Sequence, residues 1–274
     1  MNMRFNFRMC MQKFFVLLNK SRLKIKFAGV PFFSRALILW IRTFLKFLRF
    51  RKASKQSHSC SVLIELHFKY WSEDNHPSRR NLENVLATLP YGSNILETGT
   101  AAWGTQSTRL FDAFIRTSGG MFLSVDIRSE PRDFLKFQMS RSSHLYVSDS
   151  VVFLNSLHAT NQESIDLAYL DSKDVDLNSP WECAEHARHE LNALTPLLRD
   201  GAIVLIDDTP KNNILGDTEM SPACAKFYDL TQELPGKGSL ILADLKKGAL
   251  NHFQIKFHNS QLALIYSKKV AVGQ

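Results

Sequence analysis

Between residues 94 and 208 a run of strand length, largely apolar, ends in a carboxylate five times: at Glu97, Asp126, Asp149, Asp171 and the pair Asp207-Asp208. Helical stretches separate several of these runs. Strand–helix–strand connections are right-handed almost without exception, so all five ends should lie along one edge of a parallel sheet. That restricts the chain to a doubly wound α/β fold with its ligand crevice at the carboxyl ends of the strands. The 274 residues are enough for one sizeable domain plus an extension, and 45% hydrophobic content suits a packed core.

The first run leads into Glu97-Thr98-Gly99-Thr100-Ala101-Ala102-Trp103-Gly104-Thr105-Gln106-Ser107-Thr108. This reads as a strand end, a tight turn and a helix start. Glycine lets backbone approach a ligand closely, and the first turn of a helix offers unpaired N–H groups. A dinucleotide loop would need G-x-G-x-x-G. Here Gly99 and Gly104 stand five apart with no third glycine, and an acid at the strand end would repel a pyrophosphate. The acid suits a ligand with a cationic part. Asp126, roughly 20 residues beyond the loop, stands where a carboxylate that binds ribose hydroxyls belongs.

Taken in order, Glu97-x-Gly99 with Ser107-Thr108, Ser124-Val125-Asp126, Ser148-Asp149, Tyr169-Leu170-Asp171, the run from Glu190-Leu191 to Gly201, and Ile206-Asp207-Asp208 resemble the class I S-adenosylmethionine-dependent methyltransferases. The nearer likeness is to the small O-methyltransferases related to macrocin O-methyltransferase and the cephalosporin hydroxylase-like group. It covers about residues 80–267. The resemblance implies a Rossmann-like, mostly parallel seven-stranded sheet closed by a C-terminal β-hairpin, which Phe253–Phe257 and Gln261–Tyr266 would form around His258-Asn259-Ser260. It implies S-adenosyl-L-methionine as cofactor. Glu97, Gly99, Thr100 and Gly104 would lie around its methionine part, Asp126 at the ribose, and Ser148 and Asp149 near the adenine.

Asp171, Asp207 and Asp208 come from two neighbouring strand ends. Three uncompensated carboxylates at close range are costly, and a hard divalent cation, Mg²⁺ or Mn²⁺, removes that cost. The resemblance implies such a metal site too, where a chelated hydroxyl would lose its proton more easily. Asp171 and Lys173 are the catalytic candidates. Asp207 or Asp208 as a plain cap and Lys173 as a solvated loop charge are the simpler alternatives, and Glu190 is read either as a brace of the metal site or as an ordinary helix-surface charge. Ser172-Lys173-Asp174 departs from the Gly and His that related enzymes often carry after the fourth-strand acid. The function expected is metal-assisted O-methylation of a hydroxyl on a small molecule, a sugar or a lipid head group. The rivals are a non-catalytic binding or scaffold protein with a vestigial site and, less favoured, a nicotinamide-dependent oxidoreductase.

Charge is divided along the chain. Fourteen of the 34 bases precede Glu65 and no acid does, which leaves 20 bases against 26 acids for the remainder. The net +8 therefore belongs to an N-terminal arm, set at residues 1–55, ahead of a linker and lead-in at 56–76 and the methyltransferase-like domain at 77–274. On a helix over residues 35–50, Arg35, Arg42, Lys46 and Arg49 fall in a sector of roughly 60°. Leu37, Trp40, Ile41, Phe44, Phe47 and Leu48 lie opposite. Such a basic amphipathic helix suits the surface of an anionic membrane and is too charged to span one. Its rivals are docking on the protein's own domain and a removable transit peptide. A shorter basic segment is read at about residues 9–26. The aromatics form a stripe instead of interleaving with exposed bases, so nucleic acid is not expected as a partner. The localisation expected is cytoplasmic, at a membrane surface. Four cysteines without close pairing argue against zinc or a disulfide framework.

Overall fold

The computed structural model describes residues 32–55, 59–101, 105–159, 164–212 and 221–268, with side chains from residue 41. The expected segment at 9–26, Trp103 and Gly104 lie outside the described residues. The chain divides into two compact units, Met1–Leu48 and Arg49–Gln274.

The larger unit is built on a seven-stranded sheet of β1 (Ile95–Thr98), β2 (Phe122–Asp126), β3 (Ser143–Val147), β4 (Ile165–Leu170), β5 (Leu198–Ile206), β6 (Phe253–His258) and β7 (Leu262–Tyr266). Their spatial order is β3-β2-β1-β4-β5-β7-β6. The first five are parallel, while β7 runs antiparallel to both β5 and β6. This is the doubly wound, Rossmann-like sheet with a closing hairpin that the sequence predicts. Every residue of β1, β2 and β4 is buried, as befits parallel strands covered on both faces. The edge strand β3 is half exposed.

Helices α2 (Cys60–Trp71), α3 (Ser78–Leu86), α4 (Ser107–Ser118), α5 (Ser129–Leu135), α6 (Ser150–Ala159), α7 (Pro180–Leu194), α8 (Pro222–Thr231) and α9 (Ser239–Lys246) follow α1 (Phe32–Lys55) in the chain. Leu96, Val125, Ala168 and Val204 of the strands share one core with Leu154 of α6 and Leu191 of α7. Elsewhere the Phe111 ring lies 5.6 Å from both the Phe122 and the Tyr169 ring, joining α4 to β2 and β4.

Two features bear on the arm and on the linker and lead-in expected after it. The helix read over 35–50 lies within α1, which continues to Lys55. Residues 60–71, expected as lead-in, form α2, whose first turn is capped by Ser59 Oγ accepting from the Val62 N–H at 3.3 Å. Leu63, Ile64, His67, Phe68 and Trp71 recur at helical spacing and are buried. A neighbouring stretch rich in Lys, Ser and His conceals that period in the sequence. On α1 the apolar stripe is divided: Phe47 is buried, while Ile41 and Leu48 are exposed, as is neighbouring Leu45. Among the described residues no helix is long and apolar enough to cross a membrane.

Candidate active site at the carboxyl edge of the sheet

In a doubly wound sheet the ligand crevice opens where the winding reverses. Here β1 has β2 on one side and β4 on the other, so the reversal falls at β1 and β4. The loop after β1, Asp126 at the end of β2 and Asp171 after β4 all stand at that edge.

Glu97 braces the loop from within. Its carboxylate is fully buried and accepts hydrogen bonds from Ser107 Oγ (2.6 Å), Thr108 Oγ1 (2.6 Å) and Ser124 Oγ (2.7 Å). Burial raises its pKa to about 7 against the pull of those three hydroxyls. Thr108 Oγ1 also accepts the Ala101 N–H at 2.8 Å, and Thr100 Oγ1 meets Ser124 Oγ at 2.8 Å. Gly99 has φ +81°, and a Cβ there would sit 2.2 Å from the Asp171 carbonyl oxygen, so only glycine lets the turn pass the end of β4.

α2 holds the far end of the same loop. His67 is completely buried, and its Nε2 lies 2.7 Å from the Thr105 carbonyl oxygen, to which it donates. Burial lowers its pKa to about 4, so the ring is neutral at physiological pH. Gln106 Nε2 donates to the Trp71 carbonyl at 3.0 Å, and the Arg109 guanidinium lies 4.1 Å from the centre of the Trp71 ring. The segment expected as lead-in is thus the clamp of the candidate cofactor loop.

Asp126 is buried at the end of β2. Its carboxylate takes the Arg128 N–H at 2.7 Å and both arms of the largely exposed Arg128 guanidinium at 3.1 Å. The Ser148 N–H donates to the Asp126 carbonyl at 3.0 Å. Asp149 caps α6, its Oδ1 accepting from Val152 N–H at 3.0 Å.

The three acids read as metal ligands do converge: one oxygen from each of Asp171, Asp207 and Asp208 lies within 4.8 Å of the others. They are not uncompensated. Lys237, which the sequence reading missed, extends its ammonium to Asp171 Oδ1 and to Asp208 Oδ2, the latter at 3.1 Å, and its side chain is only 2% exposed. Asp207 accepts from the Tyr169 hydroxyl at 2.7 Å through one oxygen and from Gln261 Nε2 at 2.7 Å through the other. Burial and the Asp207 charge push Asp171 up to about 8 against the attraction of Lys237. Burial disfavours charge on Lys237, but the carboxylates of Asp171 and Asp208 outweigh it and hold the ammonium protonated. As arranged, these residues do not fit a divalent ion, which would have to displace an enclosed ammonium from two of its three ligands.

Lys173, the expected catalytic lysine, does not join this cluster. It is exposed and pairs with Glu182 at 2.8 Å on the first turn of α7, since the chain leaves β4 outward immediately after Asp171. Glu190 is buried and turns to His186 (3.4 Å), which in turn meets Ser150 Oγ at 3.0 Å, so it braces the start of α6. The one sequence signal for Lys237 is its place between two glycines ahead of a helix, in Pro235-Gly236-Lys237-Gly238-Ser239.

No protein-family model matches the chain, and no curated protein matches it in sequence. Among solved structures it is similar to an O-methyltransferase from Bacillus cereus in complex with SAH, at 16% identity and a TM-score of 0.44 over 77% of this chain and 91% of that one. It is also similar to fibrillarin from Aeropyrum pernix with natively bound S-adenosyl-L-methionine, at 21% identity and a TM-score of 0.40 over 65% and 66%. A further similar structure is an O-methyltransferase family protein from Burkholderia thailandensis, at 12% identity and a TM-score of 0.41 over 73% and 63%.

Proposed function

We propose that this chain is an S-adenosylmethionine-dependent methyltransferase acting on a hydroxyl group. The observation that carries the reading is the set of carboxylates at the winding reversal. Asp126 ends β2 and Asp171 follows β4, on either side of a glycine turn braced from inside by Glu97. The donor set fits a cofactor with a ribose and a sulfonium: acids at the strand ends, no pyrophosphate glycine pattern and no base on the loop. Asp126 would hold the ribose hydroxyls once the exposed Arg128 swings aside, and Asp149 would border the adenine. When bound, the cofactor supplies an electrophilic methyl group.

Asp171 is the base of this reading. Its carboxylate follows β4 at the winding reversal and is held in place by the Lys237 ammonium. Asp171 would accept the proton of an acceptor hydroxyl whose oxygen takes the methyl group. Lys237, beside it, stabilises the negative charge that develops. Metal assistance is left out of this reading because Lys237 stands where the ion would. Titration calorimetry with S-adenosylmethionine tests the assignment. The full chain should bind, and Asp126→Ala should weaken binding by about 1.5–3 kcal/mol, roughly 10- to 150-fold. Wild-type affinity in the variant would remove Asp126 from the site, and no binding by the full chain would favour the vestigial scaffold.

Contact of α1 with an anionic membrane surface is a second, separate reading. It is supported by the exposed row of Ile41, Leu45 and Leu48 beside exposed Arg42, Lys46 and Arg49.

A further inference from the structure

We propose that Lys237 is a built-in substitute for the divalent cation at the acidic end of this crevice. The backbone around Lys237 is shaped to deliver it. Gly236 packs on the Asp208 carbonyl, where a Cβ would come to 2.5 Å, and a Cβ on Gly238 would come to 2.7 Å from the Thr209 side chain. Through these two close approaches the Lys237 N–H donates to the Asp208 carbonyl at 3.0 Å and the Gly238 N–H to Thr209 Oγ1 at 3.0 Å. Asp208 meets this clamp in a left-handed conformation, φ +41°, unusual for a residue other than glycine. Glycines on both sides, a strained partner and an enclosed side chain together fix the ammonium between Asp171 and Asp208.

The hydrogen bonds agree with an ammonium and disagree with an ion. A divalent cation draws its carboxylate oxygens to one point. Both oxygens of Asp207 are instead already engaged by the donors of Tyr169 and Gln261. The charge problem that would call for a metal is met by one ammonium and two neutral donors. An amine fixed at this point supplies positive charge without ligand exchange, so the site would select acceptors with a single hydroxyl as readily as those with two chelating oxygens. The catalytic meaning rests on the methyl-transfer reading, but the occupancy of the ion position does not.

Binding of Mn²⁺, followed by its paramagnetic resonance signal, tests this position without any acceptor or cofactor. The full chain, stripped with chelator, should leave the free-ion signal unchanged, and Lys237→Arg should do the same. Lys237→Met, checked for folding by circular dichroism, should take up one ion per chain at least tenfold more tightly than wild type. Wild-type protein that binds one Mn²⁺ and loses it on Asp171→Asn would overturn the proposal, and this measurement decides even if Lys237→Met does not fold. A folded Lys237→Met with no gain in Mn²⁺ affinity would overturn it too. Cofactor titration is independent of all these outcomes and judges the transfer reading separately.

Discussion

Replacing Glu97 by Gln should change how stability depends on pH, and the size follows from two buried groups. Glu97 has a folded pKa of about 7 against an ordinary 4.5. The folded chain therefore binds more protons than the unfolded one between those values, and Glu97 costs stability as pH rises through that window. At about 1.4 kcal/mol per pH unit the loss is about 3 kcal/mol. His67 works the opposite way. Its folded pKa of about 4 lies below the ordinary 6.5, so its contribution is present above that value and is lost as pH falls toward 4, again by about 3 kcal/mol. Between pH 4.5 and 6.5 the two slopes oppose and nearly cancel in the wild type. Glu97→Gln removes one of them and leaves a chain that grows more stable with pH. Urea unfolding of both proteins at several pH values is the assay. The difference in unfolding free energy should shift by about 3 kcal/mol in favour of the variant between pH 4.5 and 7.5. A constant difference would mean that Glu97 is ionised throughout, and the account of its cage would fail.

Gly99→Ala should destabilise the chain by more than about 1 kcal/mol in urea unfolding, because it combines a left-handed backbone with a clash against Asp171, and it should weaken cofactor binding in calorimetry. An unchanged unfolding midpoint would refute the close approach. Asp171→Asn should leave the circular dichroism spectrum and cofactor binding intact while abolishing release of S-adenosylhomocysteine in an acceptor screen; retained turnover would move the base elsewhere. Vesicles with anionic lipid should co-sediment the full chain, through bases worth about 1 kcal/mol each near such a surface and through Ile41, Leu45 and Leu48. Ile41→Glu with Leu48→Glu should cut that binding at high salt more than Arg42→Gln with Lys46→Gln, and equal losses would refute an apolar contribution.

The strands were legible because a parallel strand buried on both faces reads as an unbroken apolar run, and each acid at its end marks the edge where the crevice opens. β1, β2 and β4 end within one residue of Glu97, Asp126 and Asp171, the acids that mark them. What stayed hidden depends on distant pairing. Lys237 meets Asp171 across 66 residues, and Gln261 meets Asp207 across 54. Neither contact leaves a local pattern beyond the two glycines. The nearest lysine in sequence, Lys173, was therefore the natural choice, yet it points to Glu182. α2 escaped notice because its twelve residues follow a polar stretch, although its apolar spacing is helical.

The place of β7 has a consequence for how the molecule comes into being. β7 follows every other element among the described residues, yet it lies between β5 and β6 and pairs with both. During synthesis β5 waits with an open edge and β6 has no neighbour until β7 emerges. The turn just before β7 carries Gln261, which holds Asp207, and Asn259, which with Gln261 binds Asn81 of α3. Pairings of such sequence separation are slow to form, and an unpaired strand edge is open to association with other chains meanwhile. The acidic end of the crevice is thus completed only once β7 pairs, and a chain halted before β7 would expose an adhesive strand and an incomplete acid cluster together.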